Sequence, residues 1–216
     1  MHAIHCADAA VRGVGAQSKA QLEVSLKKYL LFMLGLFLLG TDAWAGEHVP
    51  VEKGLSIGVM QRLERSRWIA SGAKSAGRVV YVFTDPNCPF CNDLWKALKS
   101  ARAPDVQVRY LLVAVIDEDS RAKDAAILES KDPAASLEEH ERAYASGGIA
   151  PKASSQPATR ETIAVNEDLM RALHIYGTPG LVYLDERGEV AVFAGMPDPG
   201  QLRMIVGKRD ESRSGM

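Results

Sequence analysis

Cysteine is scarce in this 216-residue sequence, with only Cys6, Cys88 and Cys91. Three thiols cannot build the multiple cross-links of a small disulfide scaffold. Aromatic residues make up 6 % of the chain, and net charge is nearly absent, −1 at pH 7. That balance argues against a nucleic-acid surface, which needs a basic face to meet phosphate. Long apolar runs are missing as well. The most continuous one, "YLLFMLGLFLLG" from Tyr29 to Gly40, falls short of the roughly 20 residues that span a bilayer as a helix. No internal repeat or low-complexity tract is visible, and the longest loop-like stretch is Ser146 to Glu161.

What is present begins with that apolar run. Lys27 and Lys28 precede it, and Ala43 to Ala45, "AWA", offers small residues at the positions a signal peptidase reads. This is the pattern of a cleaved secretory signal over residues 1–45, although the stretch before the lysines is long and carries Asp8 and Glu23. Cleavage after Ala45 would remove four basic residues (Arg12, Lys19, Lys27, Lys28) and three acidic ones (Asp8, Glu23, Asp42), leaving 22 against 24. It would also remove Cys6. Cys88 and Cys91 would then be the only thiols, delivered to an oxidising compartment where thiols do not idle unless something keeps them reduced. The remaining length suits one domain with room for an insertion, and the chain is 47 % apolar, enough for a conventional core.

Hydrophobic patterning gives an order of elements. "SIGVMQRLERSRWIASG" reads as a helix with Met60, Leu63, Trp68 and Ile69 near one face, ended by Gly72. "RVVYVFT" is a buried strand by its β-branched and aromatic content, and the following helix starts near Cys88, with Pro89 suited to the first helical position. "VQVRYLLVAVI" is a second strand, too continuously apolar to be half exposed. From Asp117 to about Leu173 the chain is rich in Ala, Glu, Lys and Arg, and a helix starts at Asp132 and Pro133. This region is expected to be a helical insertion. "GLVYLDERGEVAVFAGM" returns to two strands joined at "DERG", and a helix from about Pro199 to Gly207 closes the domain.

Strand, helix, strand, helices, hairpin and helix, with CxxC where the first strand meets its helix, is an α/β arrangement of the thioredoxin type. The placement of the cysteines has a physical reason. A thiol at a helix start faces unpaired backbone N–H groups and the positive end of the macrodipole, which favour its thiolate. Cys88 occupies that place, and Cys91 lies nearly one turn on, deeper in the structure. Exchange needs an exposed attacking sulfur and a second one that breaks the mixed disulfide. Two other readings of the pair stay open. A zinc site needs four ligands, and His48, His140 and His174 are not at CxxC…HxxxH spacing. A structural staple across so small a loop changes the unfolded chain little.

Other residues near the motif have plainer expectations. Asp85 and Asn87 suit turn and cap hydrogen bonds, Trp95 and Leu98 suit the core, and His174 suits a helix end. Phe90, between the cysteines, is a candidate for substrate contact.

Three segments, "RWIASGAKSAGRVVYVFTDPNCPFCNDLW", "YLLVAVIDEDSRAKDAAILESKDPAASLEEHERAYASGG" and "NEDLMRALHIYGTPGLVYLDERGEVAVFAGMPDPGQLRMIVG", resemble the DsbC/DsbG family of periplasmic thiol:disulfide interchange proteins, over about Arg62 to Lys208. The resemblance implies a thioredoxin-like fold with a helical insertion between the second and third core strands. It implies a redox-active Cys88–Cys91 disulfide, with Cys88 as nucleophile and Cys91 as resolving cysteine. Pro179 would be the cis-proline whose loop faces the motif, with Thr178 before it, both contacting substrate. The implied activity is thiol-disulfide oxidoreduction in the periplasm without a cofactor or metal. Its substrates would be exported proteins carrying thiol, disulfide or sulfenic acid groups, and a membrane thiol reductant would reset it. The expected layout is a signal peptide at 1–45, an N-terminal segment and linker helix at 46–72, a catalytic domain at 73–208 with its insertion at about 117–173, and a polar tail at 209–216. Family members carry an N-terminal dimerisation domain, whereas only Gly46 to Gln61 lies between the signal and the matching region, so a monomer is expected. The competing function is a non-catalytic chaperone or metal-binding module on the same fold.

Overall fold

The computed structural model describes residues 48–50 and 53–208; the expected signal peptide with Cys6, and the tail at 209–216, lie outside the described residues. A six-stranded sheet runs through the domain in the order β1-β6-β5-β3-β4-β2. Its centre is β3 (Arg78–Thr84), parallel to β4 (Val106–Leu112) in a register that sets Arg78 opposite Val106 and Thr84 opposite Leu112. β5 (Gly180–Leu184) pairs antiparallel with β3, and β6 (Val190–Ala194) folds back on β5. The outer strands, β1 (His48–Pro50) on β6 and β2 (Ile69–Ser71) on β4, are three residues each.

The near-continuous apolar runs of β3 and β4 follow from cover on both faces. Because side chains alternate across a strand, Val80, Val82, Val106, Val108, Tyr110 and Leu112 enter one core with Leu94 and Leu98 of α2 (Pro89–Ala101) and Leu202 and Ile205 of α6 (Pro199–Val206). Tyr81, Phe83 and Leu111 enter the other core with Val59 and Leu63 of α1 (Lys53–Arg65) and Leu169 of α5 (Pro157–Ala172). The insertion expected between β4 and β5 is built from α3 (Ser120–Leu128), α4 (Pro133–Arg142), a 3-10 turn at Tyr144–Ser146, and α5. Asp132 starts α4 as expected: its Oδ1 accepts from the N–H groups of Ala134 and Ala135 at 3.1 and 3.0 Å. Among the described residues no helix is long and apolar enough to cross a membrane.

Three boundaries differ from the sequence expectation. The first helix ends at Arg65, not Gly72, where the Ser66 hydroxyl donates to the Arg62 carbonyl at 2.8 Å and competes with the next turn. Ile69 then pairs with Tyr110 in the sheet, and Trp68 stacks on the Arg109 guanidinium, 4.1 Å from the ring centroid. The free edge of β4 overrides a spacing that also suits a helix. Of residues 46–72, expected as an N-terminal segment and linker helix, the described ones thus supply two strands of the same sheet and part of its core. The second strand stops at Leu112 rather than Ile116, and α5 takes over the end of the expected loop from Pro157.

Leu63 has no exposed surface, so its truncation tests whether α1 belongs to the domain. Leu63→Ala is expected to lower stability by about 2–5 kcal/mol in urea unfolding. A helix serving only as a linker would give a change near zero.

Candidate functional site

β3 ends at Thr84 beneath a turn that leads into α2, and the turn is organised by Asp85. Its carboxylate is 1 % exposed. Oδ1 accepts from the Asn87 N–H at 2.8 Å and the Ser120 hydroxyl at 2.8 Å, and Oδ2 accepts from the N–H groups of Val115 at 2.7 Å and Ile116 at 2.9 Å. The turn role expected for Asp85 is thus joined by a second one, anchoring the entry to the insertion. The Asn87 side chain reaches the same region: Nδ2 donates to Asp119 Oδ1 at 2.6 Å and Ser120 Oγ at 2.9 Å, and Oδ1 accepts from Lys123 Nζ at 2.7 Å.

Cys88 is the N-cap of α2, with Pro89 following. Its sulfur accepts from the Cys91 N–H at 3.3 Å, and its thiol donates to the Thr178 carbonyl at 3.3 Å. The Thr178–Pro179 peptide bond is cis, the geometry that the family resemblance implied. Both cysteines are free thiols, so the pair is described in its open form. The expected difference in exposure is absent: Cys88 is 2 % exposed and Cys91 is 3 %, because the Thr178–Pro179 segment lies against the first sulfur. The difference between them is electrostatic. A hydrogen bond from the Cys91 thiol, joined by the Cys91 backbone N–H, lowers the Cys88 pKa to about 7 against the opposing effects of burial and the Asp85 charge. Cys91 moves the other way, well above its ordinary value, because of burial first and then its proximity to Cys88.

Phe90 is 59 % exposed, and Tyr176, two residues before Thr178, is 81 % exposed. These aromatic rings stand on the two segments that meet at Cys88. The Thr178 hydroxyl is buried without a hydrogen-bond partner. Leu98 is buried in the core and Trp95 packs against it, as expected. His174 caps the end of α5 in the left-handed region, φ 56, with Nδ1 3.0 Å from the Tyr176 hydroxyl.

Sequence reasoning missed three residues of the insertion that hold the motif. His140 is 1 % exposed; the Ile149 N–H donates to Nδ1 at 3.0 Å, so Nε2 carries the proton and donates to the Pro86 carbonyl at 2.8 Å. Burial keeps its imidazole below the usual pKa. With both ring nitrogens engaged, His140 is not poised as a metal ligand. Tyr144 donates its hydroxyl to the Asn87 carbonyl at 2.9 Å. Glu141, 3 % exposed, accepts from Asn92 Nδ2 at 2.8 Å. In the sequence these sit in "LEEHERAY", which local composition marks as a solvated helix face; only the nearness of α2 distinguishes them.

The comparisons agree with this architecture. The model of the thioredoxin-like domain family matches residues 69–209. The chain is similar to the thiol:disulfide interchange protein DsbG of Pseudomonas aeruginosa, 42 % identical over 150 residues, covering 69 % of this chain and 59 % of that protein. It is similar to the DsbG of Escherichia coli at 37 % over 153 residues, covering 69 % and 60 %. The chain thus spans about three fifths of the length of these curated relatives. Among solved structures, the catalytic domain of Proteus mirabilis ScsC superposes with a TM-score of 0.56 at 26 % identity, covering 69 % of this chain and 93 % of that one. The match of the family model from residue 69 agrees with β2 as part of the domain.

Because the thiolate is the reactive form, alkylation of the reduced protein should be selective. Iodoacetamide is expected to modify Cys88 at a rate that climbs as pH rises through about 7, with Cys91 unmodified to pH 9. Peptide mapping by mass spectrometry reads both, and equal labelling of the two would contradict the electrostatic asymmetry.

Proposed function

Because the chain belongs to the thioredoxin-like domain family, we propose that it is a periplasmic thiol:disulfide interchange protein acting on cysteines of exported proteins. The observation that carries this reading is the placement of two thiols at the start of α2, where Cys88 is the N-cap and its sulfur accepts the Cys91 N–H at 3.3 Å, an arrangement that shifts the Cys88 pKa down and that of Cys91 up. A nucleophile has to be ionised near neutral pH, while a resolving thiol does best to wait until the mixed disulfide has formed. The similarity to two DsbG proteins supports the same chemistry.

In the reductive direction, the Cys88 thiolate attacks one sulfur of a client disulfide. An S–S bond forms to Cys88 and the client's other sulfur leaves as a thiolate. Cys91 then loses its proton and attacks the Cys88 sulfur, closing the Cys88–Cys91 disulfide and freeing the second client thiolate. Two electrons pass from the pair to the client. A membrane thiol reductant would restore the pair. With a client sulfenic acid, Cys88 displaces the hydroxyl, which leaves as water after taking a proton, and the same resolving step follows. Thr178, Pro179 and Phe90 are the residues we assign to substrate contact, since the first lies against the Cys88 sulfur and the last presents an exposed ring within the motif.

Cys91→Ser is expected to accumulate mixed disulfides with exported proteins, visible as adducts on non-reducing gels, and Cys88→Ser to accumulate none. Disulfide reduction of a test protein with dithiothreitol as the reductant should fall to the uncatalysed rate in Cys88→Ser. Adducts of similar yield in both variants, or full activity without Cys88, would defeat the assignment.

A further inference from the structure

Glu141 is a carboxyl group with almost no solvent contact, carried by α4 of the insertion and aimed at the motif helix. Its backbone carbonyl and its Oε2 both accept from the Asn92 side chain, at 2.7 and 2.8 Å. Asn92 directly follows Cys91, is itself 2 % exposed, and donates its backbone N–H to the Cys88 carbonyl at 3.2 Å. Among the described residues no lysine or arginine forms an ion pair with Glu141; Lys96, whose charge acts on it, is engaged with Asp93 at 3.3 Å. A buried carboxylate without a counter-ion is costly unless it holds a proton, and neither bond from Asn92 supplies positive charge.

We propose that Glu141 is a positioning residue for the exchange reaction, a redox-linked proton site that shares one negative charge with Cys88. The groups acting on it are Cys88, Asn92 and Lys96 from α2, Tyr110 from β4, and Tyr144 from the 3-10 turn, with Glu138 on its own helix facing the same Tyr110. Asp85, Thr178 and Cys91 act on Cys88. Burial holds the Glu141 carboxyl up at about 7, and the Cys88 thiolate pushes in the same direction. Cys88 is lowered to about 7, and since its thiolate disfavours ionisation of the Glu141 carboxyl, the charge of one opposes the charge of the other. When an external dithiol reduces the Cys88–Cys91 disulfide, two electrons break the S–S bond and the dithiol closes to its own disulfide. Its two protons go to Cys91, which becomes a thiol, and to the Glu141 carboxylate, while Cys88 remains a thiolate. Oxidation, or capture of Cys88 in a mixed disulfide, removes the thiolate charge and releases the Glu141 proton. A carboxylate then stands beside the motif at the stage when Cys91 must be deprotonated.

This inference rests on the proposed exchange activity only for its place in the reaction; the coupling itself is measured on the protein alone. Glu141→Gln keeps an acceptor for Asn92 and removes the charge, and Glu141→Asp keeps the charge. In Glu141→Gln the pH profile of Cys88 alkylation is expected to narrow to a single titration that completes at lower pH, with a rate up to about twofold faster between pH 7 and 8, where the wild-type carboxyl also carries charge. The reduction potential against a dithiol buffer should show fewer protons taken up per two electrons near pH 7 than in the wild type. Glu141→Asp should stay near the wild type in both, which a packing role alone would not produce. Infrared difference spectra of the unaltered protein give a variant-free reading: a protonated carboxyl band in the reduced form at pH 7 that is lost on oxidation. Superimposable alkylation profiles for Glu141→Gln and wild type, or absence of that band, would overturn the coupling whether or not client proteins are reduced. A wild type that fails to reduce client disulfides while its profile shifts in Glu141→Gln would defeat the exchange reading and leave the coupling standing.

Discussion

The buried carboxylate of Asp85 is the constraint around which the rest of the site is arranged. Removing such a group from water costs several kcal/mol unless its oxygens are satisfied, and here four donors converge on it from the turn, the end of β4 and the start of the insertion. Those donors fix the turn, and the Asp85 carbonyl accepts the Cys88 N–H at 3.0 Å. The same charge opposes a thiolate at Cys88. The hydrogen bonds from Cys91 outweigh it, so the pKa still falls. Structural order in the turn is therefore achieved at some expense to reactivity, and the helix start restores it.

The insertion is commonly thought of as an addition to a sheet-and-helix core, yet here it forms one wall of the site. His140, Glu141 and Tyr144 each reach the motif or its turn, and Asn87 reaches back to Asp119, Ser120 and Lys123. Bonds run in both directions across the same gap, which ties the position of Cys88 to the folding of residues some 30 to 55 positions later. Asp124 in α3 adds a further buried acid, with both oxygens unpartnered and a pKa raised well above the ordinary range by burial, then by Asp85. Its folded state favours the proton, so its contribution is present at acid pH and is lost as pH rises above the unfolded value.

Much of this was legible in the sequence, for reasons specific to each element. β3 and β4 declare themselves because both faces are covered, and the hairpin declares itself through Gly188, whose φ of 76 is one that few other residues adopt. Cys88 and Pro89 mark a helix start by chemistry alone. The end of α1 was not legible: Met60, Leu63, Trp68 and Ile69 satisfy a helical spacing, and the competing partner, the edge of β4, lies 40 residues on in the chain. Glu141 and His140 were hidden for the opposite reason. Their neighbours Glu138, Glu139 and Arg142 are all charged, so the local pattern carries no sign of burial. The cysteines' placement revealed how their charges would differ, but not that a segment 90 residues later would cover the first of them.

The two outermost strands have a bearing on how such a protein handles other chains. A long flat edge would offer its unpaired backbone groups to any extended polypeptide, and a protein whose proposed clients are incompletely folded meets such polypeptides constantly. β1 and β2 each give only three residues to the boundary of the sheet, and the last residue of β1, Pro50, has no N–H to give. Non-productive strand addition is thereby discouraged at both margins, and encounters with foreign backbone are biased toward the one place where a sulfur is waiting.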